Sequence, residues 1–398
     1  MNQSEHDTLR NKFKDRFQSP AEYVYSSPGR TELGGNHTDH NNGKVLAASV
    51  DLDMTAAVAP RTDHVVRVFS EGLGTATEIA VTDSSVKKNE RGTTAALIRG
   101  MAAAFDQWGY AQGGFDAYVE SRVGVGSGLS SSACFEVLMG TIMNDLTAQG
   151  KIGAKEIALA GQRAENDYFG KPCGLMDQLT CAIGGALKID FRDPGNPAVQ
   201  KIDFDPRRHG FGLVVVNTGS DHADLTDEYA SIPEEMRSVA RFFGVETCRD
   251  LDEDAFAAAM KEVREACGDR AALRCLHFLQ ENKRVDREFE ALQKNDFGTF
   301  LKVVQKSGDS SMKWLQNIHP GTNPEHQSVT LALALADRFL GTAGRGAYRV
   351  HGGGFAGTIQ AYVPLESLDD FIGTMSRVFG PSSVFLLAIR AAGAARIG

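Results

Sequence analysis

The run Gly124-Val125-Gly126-Ser127-Gly128-Leu129-Ser130-Ser131-Ser132-Ala133 passes straight into a helical pattern carrying Phe135, Val137, Leu138, Ile142 and Met143. A flexible, hydroxyl-rich loop is thus tied to the start of an apolar helix. Glycines let backbone amides turn inward, and the free amides of a helix start carry partial positive charge, so this junction is a natural cradle for phosphate groups. The plainer reading is a loop with a serine N-cap. It is not a Walker loop, because no G-x-x-x-x-G-K-[ST] occurs in the chain.

Two further glycine-rich segments flank it in sequence. Gly352-Gly353-Gly354-Phe355-Ala356-Gly357 formally satisfies G-x-G-x-x-G, but a dinucleotide site requires a helix next. The continuation Thr358-Ile359-Gln360-Ala361-Tyr362-Val363 is rich in strand formers, so a hairpin-like loop lying near the first loop is expected instead. Pro28 to Gly43 packs a guanidinium (Arg30), a carboxylate (Asp39), an amide (Asn36) and two imidazoles (His37, His40) into a short span. That is more polar recognition chemistry than a turn requires. His37, Asp39 and His40 invite a metal reading, although two histidines at i and i+3 are not a metal motif on their own.

At 398 residues the chain exceeds one ordinary core, and a boundary near residue 200 follows the Pro194-Gly195-Asn196-Pro197 turn. Before it, Leu52–Ala59 and His64–Ser70 read as a hairpin around a four-residue loop, Gly114–Ser121 and Leu187–Phe191 as strands, and 93–108, 132–148 and 154–168 as helices. After it, Leu213–Val216 reads as a buried strand and 233–244, 254–266, 269–294, 297–306 and 324–340 as helices, with strands at 345–350 and 358–363. An α+β architecture in two domains is expected.

A net charge of −9 argues against a general nucleic-acid binder, which needs a basic field. No apolar run reaches the ~18 residues that span a bilayer, and the first residues are polar, so a cytoplasmic protein without membrane contact is expected. The six cysteines form no C-x-x-C pair, and reduced thiols are the simpler reading.

Together the three glycine segments resemble the signature motifs of the GHMP kinase superfamily, and Pro28–Gly43 resembles the galactokinase form G-R-V-N-L-I-G-E-H-T-D-Y-N-G-G. It is matched at Gly29, Arg30, Leu33, Gly35, His37, Thr38, Asp39, Asn41 and Gly43. G-L-S-S-S-A is complete at Gly128–Ala133 and G-G-G-F-x-G at Gly352–Gly357, and Cys173–Gln178 resembles C-G-I-M-D-Q. Departures are Gly124 for the usual Pro, Ser127 for Gly, and Thr31, Glu32, Gly34, Asn36 and His40 for Val, Asn, Ile, Glu and Tyr. The S-C-P-E-L run of galactokinases is also missing from 307–324.

The resemblance implies the two-domain GHMP kinase fold, with an N-terminal ribosomal-protein-S5-like domain over 1–205 and a C-terminal ferredoxin-like α/β domain over 206–398. It implies an ATP-dependent sugar 1-kinase with Asp177 as base and Arg30 stabilising charge. Gly126, Ser127, Gly128, Leu129, Ser130, Ser131 and Ser132 are implied to hold ATP, Ser132 and Glu165 to hold Mg2+, and Gly352, Gly353 and Gly354 to support them. Asn36, His37, Asp39 and Tyr229 are implied to bind the sugar, and a buried core tyrosine is the other reading of Tyr229. Glu165 has separate support: it shares a helical stripe with Ile157, Gly161, Ala164 and Tyr168, where a carboxylate needs a partner, either a cation such as magnesium or an arginine.

Asn36 stands where galactokinases place a glutamate toward the O6 side of galactose. A glutamate there repels a C6 carboxylate and an asparagine does not. Galactose is the expected substrate, with galacturonate or another C6-modified sugar as the alternative and a non-catalytic sugar/ATP sensor as a reading of another class.

Overall fold

Among the described residues twelve strands form two sheets: β1 (Tyr23–Gly34), β2 (Lys44–Arg61), β3 (Val65–Ser70), β4 (Thr77–Ala80), β5 (Gly114–Ser121), β6 (Ala186–Asp190), β7 (Ala198–Ile202), β8 (Phe211–Asn217), β9 (Ala347–His351), β10 (Thr358–Pro364), β11 (Val384–Leu387) and β12 (Ala395–Arg396). This computed structural model describes residues 3–398 except 73, 111–112, 125–127, 220–224, 322–324 and 356. The first sheet runs β12-β1-β2-β5-β3-β4, with β6 on β2 and β7 on β6; the second runs β11-β8-β10-β9.

The 18-residue β2 organises the first sheet. Its start pairs with β6 and its end with β5, and β1 lies along its other edge. The expected hairpin between residues 52–59 and 64–70 is not formed. Strand β5 lies between the two segments, antiparallel to β2 and parallel to β3. A parallel pair needs a long crossover, and the helix Thr94–Gln107 supplies it by burying Leu97, Ile98, Met101 and Phe105. Local turn residues suggested a neighbour that the crossover displaced.

The second sheet follows its sequence more closely. Leu213–Val216 forms part of β8, whose side chains there are fully buried between β10 and β11. The strands β9 and β10 pair antiparallel from Thr358 opposite His351, so Gly352–Gly357 is a hairpin connection and not a helix start. The expected helix at 269–294 is seen as Asp269–Gln293, and that at 297–306 extends to Ser310. Helices Gln3–Phe17, Met176–Ile183 and Leu368–Phe379 were not anticipated.

We divide the chain at 205/206, where one sheet gives way to the other, but the halves are stitched together. Residues near the C-terminus return to the first sheet through β12 on β1 and a bridge from Ile389 to Val50. The largest apolar core is shared: Val45, Leu46 and Leu187 from the first half belong to one cluster with Leu213, Val285, Phe300 and Tyr362 from the second. Among the described residues no helix is long and apolar enough to cross a membrane.

Candidate active site

Strand β1 slips register between Pro28 and Arg30 and again between Glu32 and Gly34. Such irregularities re-aim side chains, and here they bracket Arg30. The guanidinium, 6% exposed, is held on both sides. Nε donates to Asp177 Oδ1 at 2.5 Å, Nη2 to Asp177 Oδ2 at 2.8 Å, and Nη1 to the carbonyl of Gly128 at 2.5 Å. Asp177 sits in the first turn of the helix Met176–Ile183, where the free amides favour negative charge. Burial pushes its carboxyl up, but the Arg30 charge and hydrogen bonds outweigh that and hold it below the ordinary carboxylate range.

The phosphate-loop segment closes on this pair. Arg30 N donates to Leu129 O at 3.1 Å, and Gly128, at φ +73°, packs where a Cβ would come within 2.4 Å of Thr358 Oγ1. Ser130 stands at the cap of the helix Ser131–Ala148 but makes no capping bond. Its Oγ donates to Asp177 Oδ2 instead. The N-cap reading of the loop is therefore wrong for Ser130: the hydroxyl serves the carboxylate. Gly126 and Ser127 lie outside the described residues. Ser131 begins the helix and is partly buried.

Ser132 Oγ donates to Glu165 Oε1 at 3.0 Å. Glu165, 2% exposed, lies in the π turn Ala164–Phe169 that ends the helix Ala154–Arg163; the widened turn is a frequent feature of functional sites. Gln178 Nε2 bridges Glu165 Oε2 and Glu136 Oε2, each at 3.0 Å, and Lys171 Nζ lies 3.4 Å from Glu165 Oε1. Glu136 is buried, and burial together with the Glu165 charge pushes its carboxyl well up. Its Oε1 has no hydrogen-bond partner among the described residues. A hydroxyl beside a carboxylate, with a second carboxyl group behind, is a set of hard oxygen donors that would suit magnesium. The one cation paired with Glu165 among the described residues is Lys171, whose side chain is 65% exposed.

The sugar-loop candidates converge on the third glycine segment. Asn36 Nδ2 donates to Gly352 O at 2.7 Å, His37 Nε2 to Gly353 O at 2.8 Å, and Tyr229 Oη to Gly354 O at 2.8 Å. The acceptor-only carbonyl of Gly353 fixes the His37 tautomer: its Nδ1 must accept, so His40 Nε2, 3.1 Å away, donates to it, and His40 Nδ1 accepts from Asn41 Nδ2. Burial drives both imidazoles toward neutrality, His37 down to about 4. The two histidines therefore bond each other. Among the described residues no group of three or more His, Cys, Asp or Glu is placed to hold a metal.

Asp39 lies within electrostatic reach of Asp177. Burial first, and the Asp177 charge second, push it up to about 6. Gly174 gives it room, since a Cβ there would lie 1.7 Å from Asp39 Oδ2. Tyr229 packs edge-on against Phe355, and burial pushes its hydroxyl up to about 12.

Asn36 departs from expectation. It is fully buried, its Nδ2 donates to Glu32 Oε1 (3.1 Å) and Gly352 O, and its Oδ1 accepts from Asn317 Nδ2 (2.8 Å) and Ser311 Oγ (3.2 Å). Two donors and two acceptor positions exhaust an amide. In this structure all four hydrogen-bonding positions of the Asn36 amide are taken by protein groups, unlike the sugar contact expected of it.

Residues 11–60 match the galactokinase galactose-binding signature and residues 96–185 the GHMP kinase N-terminal domain. The chain thus carries a galactokinase galactose-binding signature followed by a GHMP kinase N-terminal domain. Its fold is that of a Lactococcus lactis galactokinase solved in complex with galactose, at 23% identity and TM-score 0.82 over 98% of this chain and 100% of that one. It is also similar to the Methanococcus jannaschii mevalonate kinase (15%, TM-score 0.64, 92% and 98%). A D-glycero-D-manno-heptose 1-phosphate kinase from Bacteroides thetaiotaomicron is a third neighbour (14%, TM-score 0.64, 94% and 98%). The chain thus combines a GHMP kinase N-terminal domain with a galactokinase-like fold.

Within this galactokinase-like frame, much of the support around the sugar loop comes from residues that sequence motifs did not single out. Glu281 Oε1 accepts from Gly35 N (3.1 Å), Asn36 N (3.3 Å) and Ser307 Oγ (2.5 Å), and Oε2 accepts from Arg284 Nε. Burial raises its carboxyl, yet Arg284 and its other partners pull it down to about 2. His277 Nε2 donates to Asn36 O at 3.0 Å and its Nδ1 accepts from Ser310. The helical stripe of Asp269–Gln293 carries these groups at positions 277, 281, 284 and 288, the i, i+4 and i, i+3 spacing that could have exposed them as a buried polar face. Two departures from the galactokinase pattern now have causes. Gly34 replaces a bulky residue because Glu288 Oε2 would lie 1.8 Å from a Cβ there, and the segment without S-C-P-E-L supplies Ser307, Ser310, Ser311 and Asn317.

Proposed function

We propose that this chain transfers the γ-phosphate of ATP to the C1 hydroxyl of galactose. The observation that carries the reading is the Arg30–Asp177 pair, joined by two hydrogen bonds and lying where the sugar loop, the phosphate-loop helix and the C-G-L-M-D-Q helix meet.

Asp177 stays ionised and is free on one side, so it can receive the proton of the attacking hydroxyl. A carboxylate held this low is a weak base. That suits phosphoryl transfer, whose loose transition state builds little bond to the nucleophile before the proton must leave, so Asp177 first orients the hydroxyl and accepts its proton late. Arg30 bears the charge that develops on the transferring group while its other edge stays anchored on Gly128 O. Asp39 and His37 line the sugar side, and Ser130–Ser132 with the helix start hold the phosphates. Ser132 and Glu165 would hold magnesium, whose charge offsets that of the β- and γ-phosphates.

Galacturonate entered as an alternative through Asn36 alone. With the Asn36 amide fully engaged, that argument no longer favours it over galactose. The test is phosphorus and carbon NMR of the product made from ATP, magnesium and galactose. An anomeric phosphate is expected. A phosphate on another carbon contradicts the C1 assignment, and binding of ATP and sugar without ADP release would favour a sensor.

A further inference from the structure

Positions 32 and 36 carry a carboxylate and an amide in the order opposite to the galactokinase pattern, and in the fold the two side chains touch. Asn36 Nδ2 donates to Glu32 Oε1 at 3.1 Å. The same Glu32 oxygen accepts from Nη2 of Arg349, which is fully buried and arrives from β9 in the other half of the chain. Arg349 Nη1 also donates to Leu33 O at 2.9 Å. The second Asn36 N–H reaches Gly352 O at 2.7 Å, directly beyond the end of β9. One closed circuit therefore runs from β1 to Arg349, along β9 to the Gly352–Gly354 loop, and back through Asn36 to β1. His37 and Asp39 follow Asn36 directly, so whatever fixes Asn36 fixes their starting point.

We propose that Glu32, Asn36 and Arg349 form a latch that sets the sugar loop against the Gly352–Gly354 loop, with Asn36 a positioning residue and not a reader of the sugar. The proposal rests on the sugar-kinase reading for its functional consequence and on the hydrogen bonds alone for the latch itself. The polarity of the pair is what matters. A carboxylate at position 36 would face Glu32 Oε1 and Gly352 O at hydrogen-bonding distance with no proton of its own to donate, in a fully buried place. Unpaired buried acceptors are far more costly than exposed ones. Replacing Glu32 by glutamine at the same time returns an N–H donor to the contact with position 36, while the glutamine Oε1 can still accept from Arg349 and the cluster keeps one carboxylate.

The experiment is a cycle of Asn36→Asp, Glu32→Gln and the double variant, measuring KM for galactose, KM for ATP, kcat and Tm. Asn36→Asp should raise the galactose KM about tenfold or more, leave the ATP KM within about threefold, and lower Tm by about 5 °C or more. In the double variant Glu32→Gln should recover at least half of the lost Tm and bring the galactose KM within about threefold of the starting protein. Losses that simply add, or Asn36→Asp without effect, overturn the latch. A lower Tm with both KM values unchanged overturns the positioning role. If Asn36→Asp does not accumulate as folded protein, the double variant decides: folded with near-normal galactose KM supports the latch, and unfolded overturns it. Should the unaltered chain not turn over galactose, the functional reading fails, while the Tm cycle still tests the latch.

Discussion

Replacing Asp177 by asparagine keeps the shape of the side chain and removes its charge. In the native site the carboxylate accepts two hydrogen bonds from Arg30 and one from Ser130. In the variant the amide can no longer take a proton from the sugar hydroxyl, and turning its N–H₂ toward Arg30 opposes two donors. Loss of a positioned base costs about 10² to 10⁴ in rate, which at 1.36 kcal/mol per decade is about 2.7 to 5.4 kcal/mol of transition-state stabilisation. Stability falls as well, because Arg30 is 6% exposed and loses its counter-ion. Breaking a fully buried pair costs about 3–5 kcal/mol, but the Asp177 side chain is 30% exposed, so water offsets part of this and about 2 kcal/mol is expected. Coupled ADP release at saturating galactose and ATP measures the first effect and thermal unfolding the second. A kcat within threefold of the native protein, with the fold intact, would refute the assignment of Asp177 as the proton acceptor.

Glu165→Gln should raise the magnesium concentration needed for half-maximal activity and weaken Mn2+ binding read by electron paramagnetic resonance without turnover, while the galactose KM stays nearly unchanged; an unaltered Mn2+ titration would make Glu165 a purely structural partner of Ser132 and Gln178. Asp39 is pushed up to about 6, so kcat/KM for galactose should fall as pH drops through that value, and the fall should vanish in Asp39→Asn. The stability sign is opposite: a carboxyl raised in the folded state favours folding below its unfolded pKa of about 4, and that contribution is lost as pH rises through 6.

The glycine loops were legible because their chemistry is local. Ser130 to Ala133 must start a helix, and Gly352–Gly354 must join two strands, whatever lies elsewhere. Arg30 and Asp177, 147 residues apart, could be paired only through resemblance, since nothing in spacing brings β1 to the helix Met176–Ile183. The hairpin between β2 and β3 failed for the converse reason: its turn residues are genuine, but the strand that β3 chose arrives 44 residues after its own end, from Ser70 to Gly114. The surroundings of Asn36 could not be read from a single position compared in isolation. Its exchange with Glu32 is visible in sequence, yet the meaning depends on their contact and on Arg349, more than 300 residues away. The buried polar stripe of His277, Glu281, Arg284 and Glu288 carried a readable period, and its function of holding the sugar loop did not.

The central claim is tested most directly by kcat/KM for a panel of sugars with ATP and magnesium, including galactose, galacturonate, glucose and N-acetylgalactosamine. The account predicts the highest value for galactose, at least tenfold above galacturonate, with one ADP released per sugar 1-phosphate formed. A tenfold preference for galacturonate, or no turnover of any sugar by folded protein that binds ATP, would contradict it.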